Sequence, residues 1–196
     1  MAITINGTGS ITGLTAGGLP DGSIVSSDLA SGAITSGALP AGTILQVVQT
    51  VKTDTATHTS SNSSFSSDIM TVTITPSNAN NKILIIGNFT VGADTGQRCG
   101  IRLTNGGSAI NGAIAATAGN RVRASCASAP AGNSNSCIPM SFHFLHSPAS
   151  TDEQTYGMQM SKEGAGDVHI NRSLNDTDNN TLYRTASYLT VMEVAG

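Results

Sequence analysis

From Leu14 to Ile44 a large aliphatic residue stands at every fifth position: Leu14, Leu19, Ile24, Leu29, Ile34, Leu39 and Ile44. Leucine and isoleucine alternate from Leu19 onward, and a glycine precedes most of these positions by two places (Gly17, Gly22, Gly32, Gly37, Gly42), so the underlying unit is a decad. Its copies are close: Leu19-Pro20-Asp21-Gly22 returns as Leu39-Pro40-Ala41-Gly42. A spacing of five matches neither the helical period of 3.6 nor the strand period of 2. It implies short extended pieces joined by tight bends, each contributing one apolar side chain. One aliphatic residue in five does not offset backbone ordering that costs about 1 to 2 kcal/mol per residue, so the segment needs partner chains. Three chains about a common axis would bury three aliphatic side chains in each tier and leave Ser, Thr and Asp in water. The seven pentad residues are therefore the expected core of a trimeric shaft. A Gly/Ser linker would not repeat Ile and Leu so regularly, and a pentapeptide-type β-solenoid, which shares the pattern, would need a longer run.

The rest of the chain reads differently. Charged residues make up 11% of the 196, against roughly 25% in an average soluble protein, while Gly, Ser, Thr, Asn and Ala abound. Long exposed helices usually carry Glu and Lys on their wet face, whereas Thr, Ser and Val suit strands and Gly and Asn suit turns. The fold class expected is all-β: an N-terminal extended repetitive β shaft over residues 1-43, followed by a jelly-roll-like β-sandwich head over 44-196, in an intertwined homotrimer. Strands are expected near 43-52, 68-75, 82-92, 98-104, 109-116, 138-146, 155-161, 167-172 and 184-195. Alternation is clear in Met70-Thr71-Val72-Thr73-Ile74, and in Tyr188 to Val194 one face is expected to be apolar and the other mostly polar. Lys82-Ile83-Leu84-Ile85-Ile86 is apolar on both faces and is expected to be central; Asn105-Gly106-Gly107 is a hairpin signal, and 118-136 reads as a long surface loop.

Several function classes lose support at this stage. Nine Lys and Arg, a net charge of -3 and no basic run give no footprint for nucleic acid. No run of about 18 apolar residues exists to cross a bilayer, and Met1-Ala2-Ile3-Thr4 lacks the layout of a signal peptide, so assembly in a cytosol and no membrane insertion are expected. Cys99, Cys126 and Cys137 are odd in number and form no CxxC pair, which favours free thiols. His143 and His146 share a strand at odd separation and face opposite sides, so they are not a joint metal site. Asp176-Thr177-Asp178-Asn179-Asn180 begins like a calcium loop, yet Thr181 stands where Gly is needed and Ser187 where Glu is needed. Gly7-Thr8-Gly9 is a turn rather than a phosphate cradle. Asp152 and Glu153 adjoin on a polar loop and do not form a glycosidase pair. No catalytic, cofactor-binding or metal-binding residue is expected, and no enzyme activity.

The opening Ala2-Ile3-Thr4-Ile5-Asn6-Gly7-Thr8-Gly9-Ser10-Ile11-Thr12-Gly13-Leu14, the decads, the junction Gly42-Thr43-Ile44-Leu45-Gln46-Val47-Val48-Gln49 and the ending Tyr183 to Val194 resemble tail-fibre and related virion structural proteins of bacteriophages, particularly those of cyanobacteria and other aquatic bacteria. The resemblance implies a virion protein assembled in the bacterial cytoplasm and working as a homotrimer. It implies a short tail fibre that attaches the particle to the host, with a capsid-attached head fibre or decoration protein as the alternative. Expected partners are further copies of the chain, other virion proteins through the N-terminal segment, and a host cell-surface glycan or protein. Distal head loops, including 118-136 and 175-182, are the expected contact region.

Overall fold

Strict alternation of side chains writes most of the strands. In Met70–Ile74 the residues Met70, Val72 and Ile74 are buried while Thr71 and Thr73 face water, the half-buried pattern of period two. The computed structural model describes residues 4-5, 11-12, 24-31, 33-34, 36-59 and 63-196. It divides into two compact units, Met1–Leu39 and Pro40–Gly196.

In the first unit, β1 (Thr4–Ile5) pairs antiparallel with β2 (Ile11–Thr12). Two 3-10 turns follow, Ser26–Asp28 and Ser36–Ala38, at the same phase of successive decads. The Asp28 carboxylate accepts from the Val25 N–H at 2.9 Å and so closes the first turn. Gly7-Thr8-Gly9 and the pentad residues Leu14 and Leu19 lie outside the described residues.

The second unit is a β-sandwich. Its strands are β3 (Ile44–Lys52), β4 (Ala56–His58), β5 (Met70–Ile74), β6 (Lys82–Ala93), β7 (Cys99–Asn105), β8 (Ser108–Ala109), β9 (Cys126–Ala127), β10 (Ile138–His146), β11 (Gln154–Lys162), β12 (Val168–Ile170) and β13 (Ser187–Val194). Sheet one runs β3-β13-β6-β12-β4, with β10 on the other edge of β6; sheet two runs β5-β11-β7-β8, with β9 also on β7. Every pairing between these strands is antiparallel. Pro139 sits in β10, an edge strand, where a missing N–H costs no ladder bond. Ile83, Ile85 and Val91 of β6 meet Ile101, Leu103, Met158 and Met160 of sheet two in one core. At 20 to 33 cal/mol per Å² this burial is the main term holding the sheets together, about 2 kcal/mol for each side chain of this size.

Strand β6 is central, as its two-faced apolarity requires, and the Asn105-Gly106-Gly107 turn closes the β7–β8 hairpin with both glycines at positive φ. Three expectations need correction. The strand expected over 109-116 stops at Ala109, because Asn111–Ala113 forms a 3-10 turn. The loop expected over 118-136 contains β9, held to the edge of β7 by the backbone bonds Ser125 N–H to Ile101 O and Ser128 N–H to Cys99 O and by their side chains: Ser125 Oγ accepts from Leu103 N–H at 3.0 Å and Ser128 Oγ from Cys99 N–H at 2.9 Å. Third, the 188-194 strand is not polar on its second face: Glu193 is the buried residue, while Tyr188 and Met192 point outward.

Candidate contact surfaces of the head

Strands β12 and β13 lie in one line along β6, with Ile170 opposite Val91 and Tyr188 opposite Asn88. Between them residues 171-186 leave the sheet as an excursion, and Asn171 closes its base. Asn171 is fully buried at φ 64°. Its Nδ2 donates to the carbonyls of Lys52 (2.8 Å) and Asp54 (2.9 Å), and its Oδ1 accepts from Ser187 Oγ at 2.6 Å. Its backbone N–H donates to Thr90 O and its carbonyl accepts from Thr185 N–H. One side chain therefore ties the break between β12 and β13 to the break between β3 and β4. The outgoing chain crosses directly over Gly92, where any Cβ would meet the backbone of Arg172 and Ser173.

Within the excursion, Arg184 Nε donates to Asp176 Oδ1 at 2.7 Å and a second guanidinium nitrogen to Oδ2, a two-point clamp. Arg172 donates to the carbonyls of Ser173 and Leu174 and to His169 Nδ1 at 2.8 Å. A guanidinium only donates, so His169 carries its proton on Nε2, which is buried without a partner among the described residues. Burial, then the neighbouring Arg172, push the His169 pKa down. Asp176, Thr177, Asp178, Asn179, Leu182, Tyr183 and Arg184 line a shallow cavity of about 310 Å³, and Tyr183 is 71% exposed. Of the anticipated loop 118-136, only the later part meets this region: Asn175 N–H donates to Ser134 O and Asn175 Nδ2 to Asn135 Oδ1.

The excursion lies at the end of the sandwich remote from where the chain comes in. Gly42 N–H donates to Ala195 O and Ala195 N–H to Thr43 O, past the end of β13, whereas the excursion joins β13 at its start. The eight residues of β13 separate the two by roughly 25 Å.

A second surface is the outer face of sheet one. Val47, Met192, Leu84 and Leu145 lie side by side across β3, β13, β6 and β10, an apolar row over four strands. Ile44 and Val194 flank it on one side, Ile86 on the other, with Val51 beside Tyr188 beyond. Ile44, Val47, Val51, Leu145 and Tyr188 are 43 to 56% exposed. Among the outward residues of these strands Lys82 alone carries a fixed charge. The outer face of sheet two is covered over β7 and β11 by the segment before β5: Arg102 lies 4.0 Å from the Phe65 ring, and Asp68 reaches across Gly157 to accept from Thr104 Oγ1 at 2.8 Å. An antiparallel sheet ordinarily keeps its second face polar, and an uncovered apolar patch of this breadth marks a contact surface.

Of the expected shaft residues, Ile24, Leu29 and Ile34 are exposed within the first unit, Leu39 is half-buried, and Ile44 belongs to the apolar face of sheet one. His143 is exposed on the outer face, and His146 is on the inner side with Nδ1 2.8 Å from Tyr156 Oη. Asp152 and Glu153 are exposed at the chain-entrance end, where Asp152 shares hydrogen bonds with Ser150. The three cysteines are free, and burial pushes the Cys99 and Cys126 thiols to about 12 and about 11. Sequence reasoning missed Asn171 and the outer apolar face. The signal for the face was present in Val47, Val51, Tyr188, Met192 and Val194, whose alternation is apolar on the side not needed for the core. No protein-family model matches the chain, and no curated protein matches it in sequence.

Proposed function

We propose that this chain is the subunit of a short homotrimeric bacteriophage tail fibre, whose N-terminal segment docks on the virion and whose head attaches the particle to the host surface. The observation that carries the reading is the outer face of sheet one. It has an apolar row across four strands, is nearly free of charge, and includes Ile44, the residue that ends the pentad series. A pentad series that needs partner chains, and a sheet face left without a cover among the described residues, both support copies of the same chain as the occupant. The order of strands supports a jelly-roll head, since the chain changes sheet between β4 and β5, β5 and β6, β6 and β7, β9 and β10, β10 and β11, and β11 and β12. The separation of the chain entrance from the excursion supports a polarity with the virion at one end and the host at the other.

Native mass spectrometry of the full-length chain tests the assembly. The expected mass is that of a trimer, and the double variant Val47→Asp/Leu145→Asp is expected as a monomer with unchanged far-UV circular dichroism, since both residues are exposed on the single chain. A wild-type monomer at micromolar concentration would reject the reading. Immunogold labelling of particles then decides the attachment point: label on the tail supports the fibre, and label on the shell replaces it with a capsid-attached decoration protein.

A further inference from the structure

At the distal end of the sandwich a second cavity, of about 630 Å³, lies between the start of β7, the end of β11 and the segment before β9. One wall is apolar or small, with Cys99, Gly100, Val122, Ala124 and Ala127; Ser63, three cations (Arg98, Arg121 and Lys162) and one carboxylate (Glu163) complete the lining. Such a volume, with charged groups gathered beside a small apolar wall, is within the range of a small-molecule site. Its charge does not follow from the chain as a whole, whose net charge is -3.

The three cations differ in how far the protein satisfies them. Arg98 is paired with Glu163 at 2.7 Å, both half-exposed, and is neutralised there. Lys162 is only 6% exposed, yet its ammonium has just the Ala165 carbonyl at 3.4 Å and the Asp167 carboxylate at 3.8 Å. An ammonium has three N–H groups to place, and a buried one left short of acceptors is costly. Arg121 donates to the Ala118 carbonyl at 3.4 Å and has no carboxylate within ion-pair distance among the described residues. Its planar fork is free to take a two-point anion. The Cys99 thiol on the same wall is neutral, pushed to about 12 by burial and by Cys126, so the opposing charge in the lining is that of Glu163, which Arg98 holds.

We propose that this cavity binds an anionic sugar residue, with Lys162 and Arg121 holding its acid group and the Val122 to Ala127 wall covering its ring. The assignment rests on the host-attachment reading for the source of the ligand, an acidic surface glycan, and extends it by naming the chemistry recognised. Carboxylate-bearing and sulfate-bearing sugars present the same single negative charge on a pyranose, so both are used as probes.

Titration calorimetry of the full-length chain with galacturonate, galactose 6-sulfate and galactose tests it at low and physiological salt. At least one acidic sugar should bind more than tenfold tighter than galactose, weaken with salt as exposed charge interactions do, and lose at least tenfold in Arg121→Gln and in Lys162→Met. The acidic sugar that binds better identifies the anion. Equal binding of galactose, no binding of either acidic sugar, or retention of affinity in Arg121→Gln, an exposed substitution that leaves the fold intact, would overturn the proposal. Native mass spectrometry of the same samples separates the two readings: a trimer that ignores both acidic sugars removes the cavity alone, and a monomer that binds them removes the fibre assembly alone.

Discussion

Glu193 occupies a position where the pattern of β13 calls for an apolar side chain, and it is buried all the same. Its carboxylate is answered on every side: Ser77 N–H at 2.6 Å, Ser77 Oγ at 2.8 Å, Asn81 Nδ2 at 2.6 Å and Gln46 Nε2 at 2.6 Å. Burial raises its pKa, and the donors from Asn81, Gln46 and Ser77 more than reverse this, so the net direction is downward. These bonds fasten the β5–β6 connection to the last strand, and Asn81 Oδ1 also accepts from Gly196 N–H. His146 and His169 are likewise lowered by burial, the latter also by Arg172 against the weaker pull of Asp167 and Asp176. In all three cases the unfolded chain binds protons at a pH where the folded chain does not, so stability rises with pH. The histidine contribution is complete above the ordinary imidazole value of 6.5 and is lost as the pH falls below it. The Glu193 contribution is complete above 4.5 and is lost below that. Urea midpoints should therefore fall from pH 7 to pH 5 and again toward pH 3.5 with unchanged slope, and Glu193→Gln should lower stability by about 2 kcal/mol at pH 7 and flatten the limb below pH 4.5. A profile flat from pH 7 to 3.5 would contradict these assignments.

Among the elements, long alternating or doubly apolar strands were legible from residues alone. β3, β6, β7, β10 and β11 each fall within two residues of the expected bounds, because burial demands their pattern. Elements held by side-chain hydrogen bonds were not legible. β9 joins β7 through backbone bonds that the Ser125 and Ser128 hydroxyls reinforce from either side, and a serine looks the same in a loop. The excursion was recognised as a polar loop, but its clasp was not, since Asn171 gains its meaning from Lys52, Asp54 and Ser187, distant in sequence. The same holds for the contact surfaces. The pentad could be counted, while the apolar face emerged only once four strands stood side by side. Asn171→Ala removes the donor to the Lys52 and Asp54 carbonyls and puts a Cβ-bearing, amide-free residue at positive φ, and should cost about 2 kcal/mol. Asn171→Gly restores the backbone freedom and should lie between the two in chemical denaturation; parity of both variants with wild type would show that the clasp is not structural.

For the molecule as a whole, the division at Leu39 and Pro40 puts every core residue among the described residues in the second unit. A chain beginning at Pro40, which retains the Gly42 and Thr43 bonds to Ala195, should unfold in a single cooperative transition, as small domains do. A broad, non-cooperative melt would show that the first unit is required for folding. The clasp at Asn171 has a further consequence. Because β12 and β13 resume the same line on either side of it, the sheet does not register what the intervening residues are, and doubling the length of a closed loop adds only about 0.6 kcal/mol. The tip of the excursion is in effect a cassette. New sequences can be inserted between Ser173 and Arg184 without repacking the core, so this tip is free to change much faster than the scaffold that carries it.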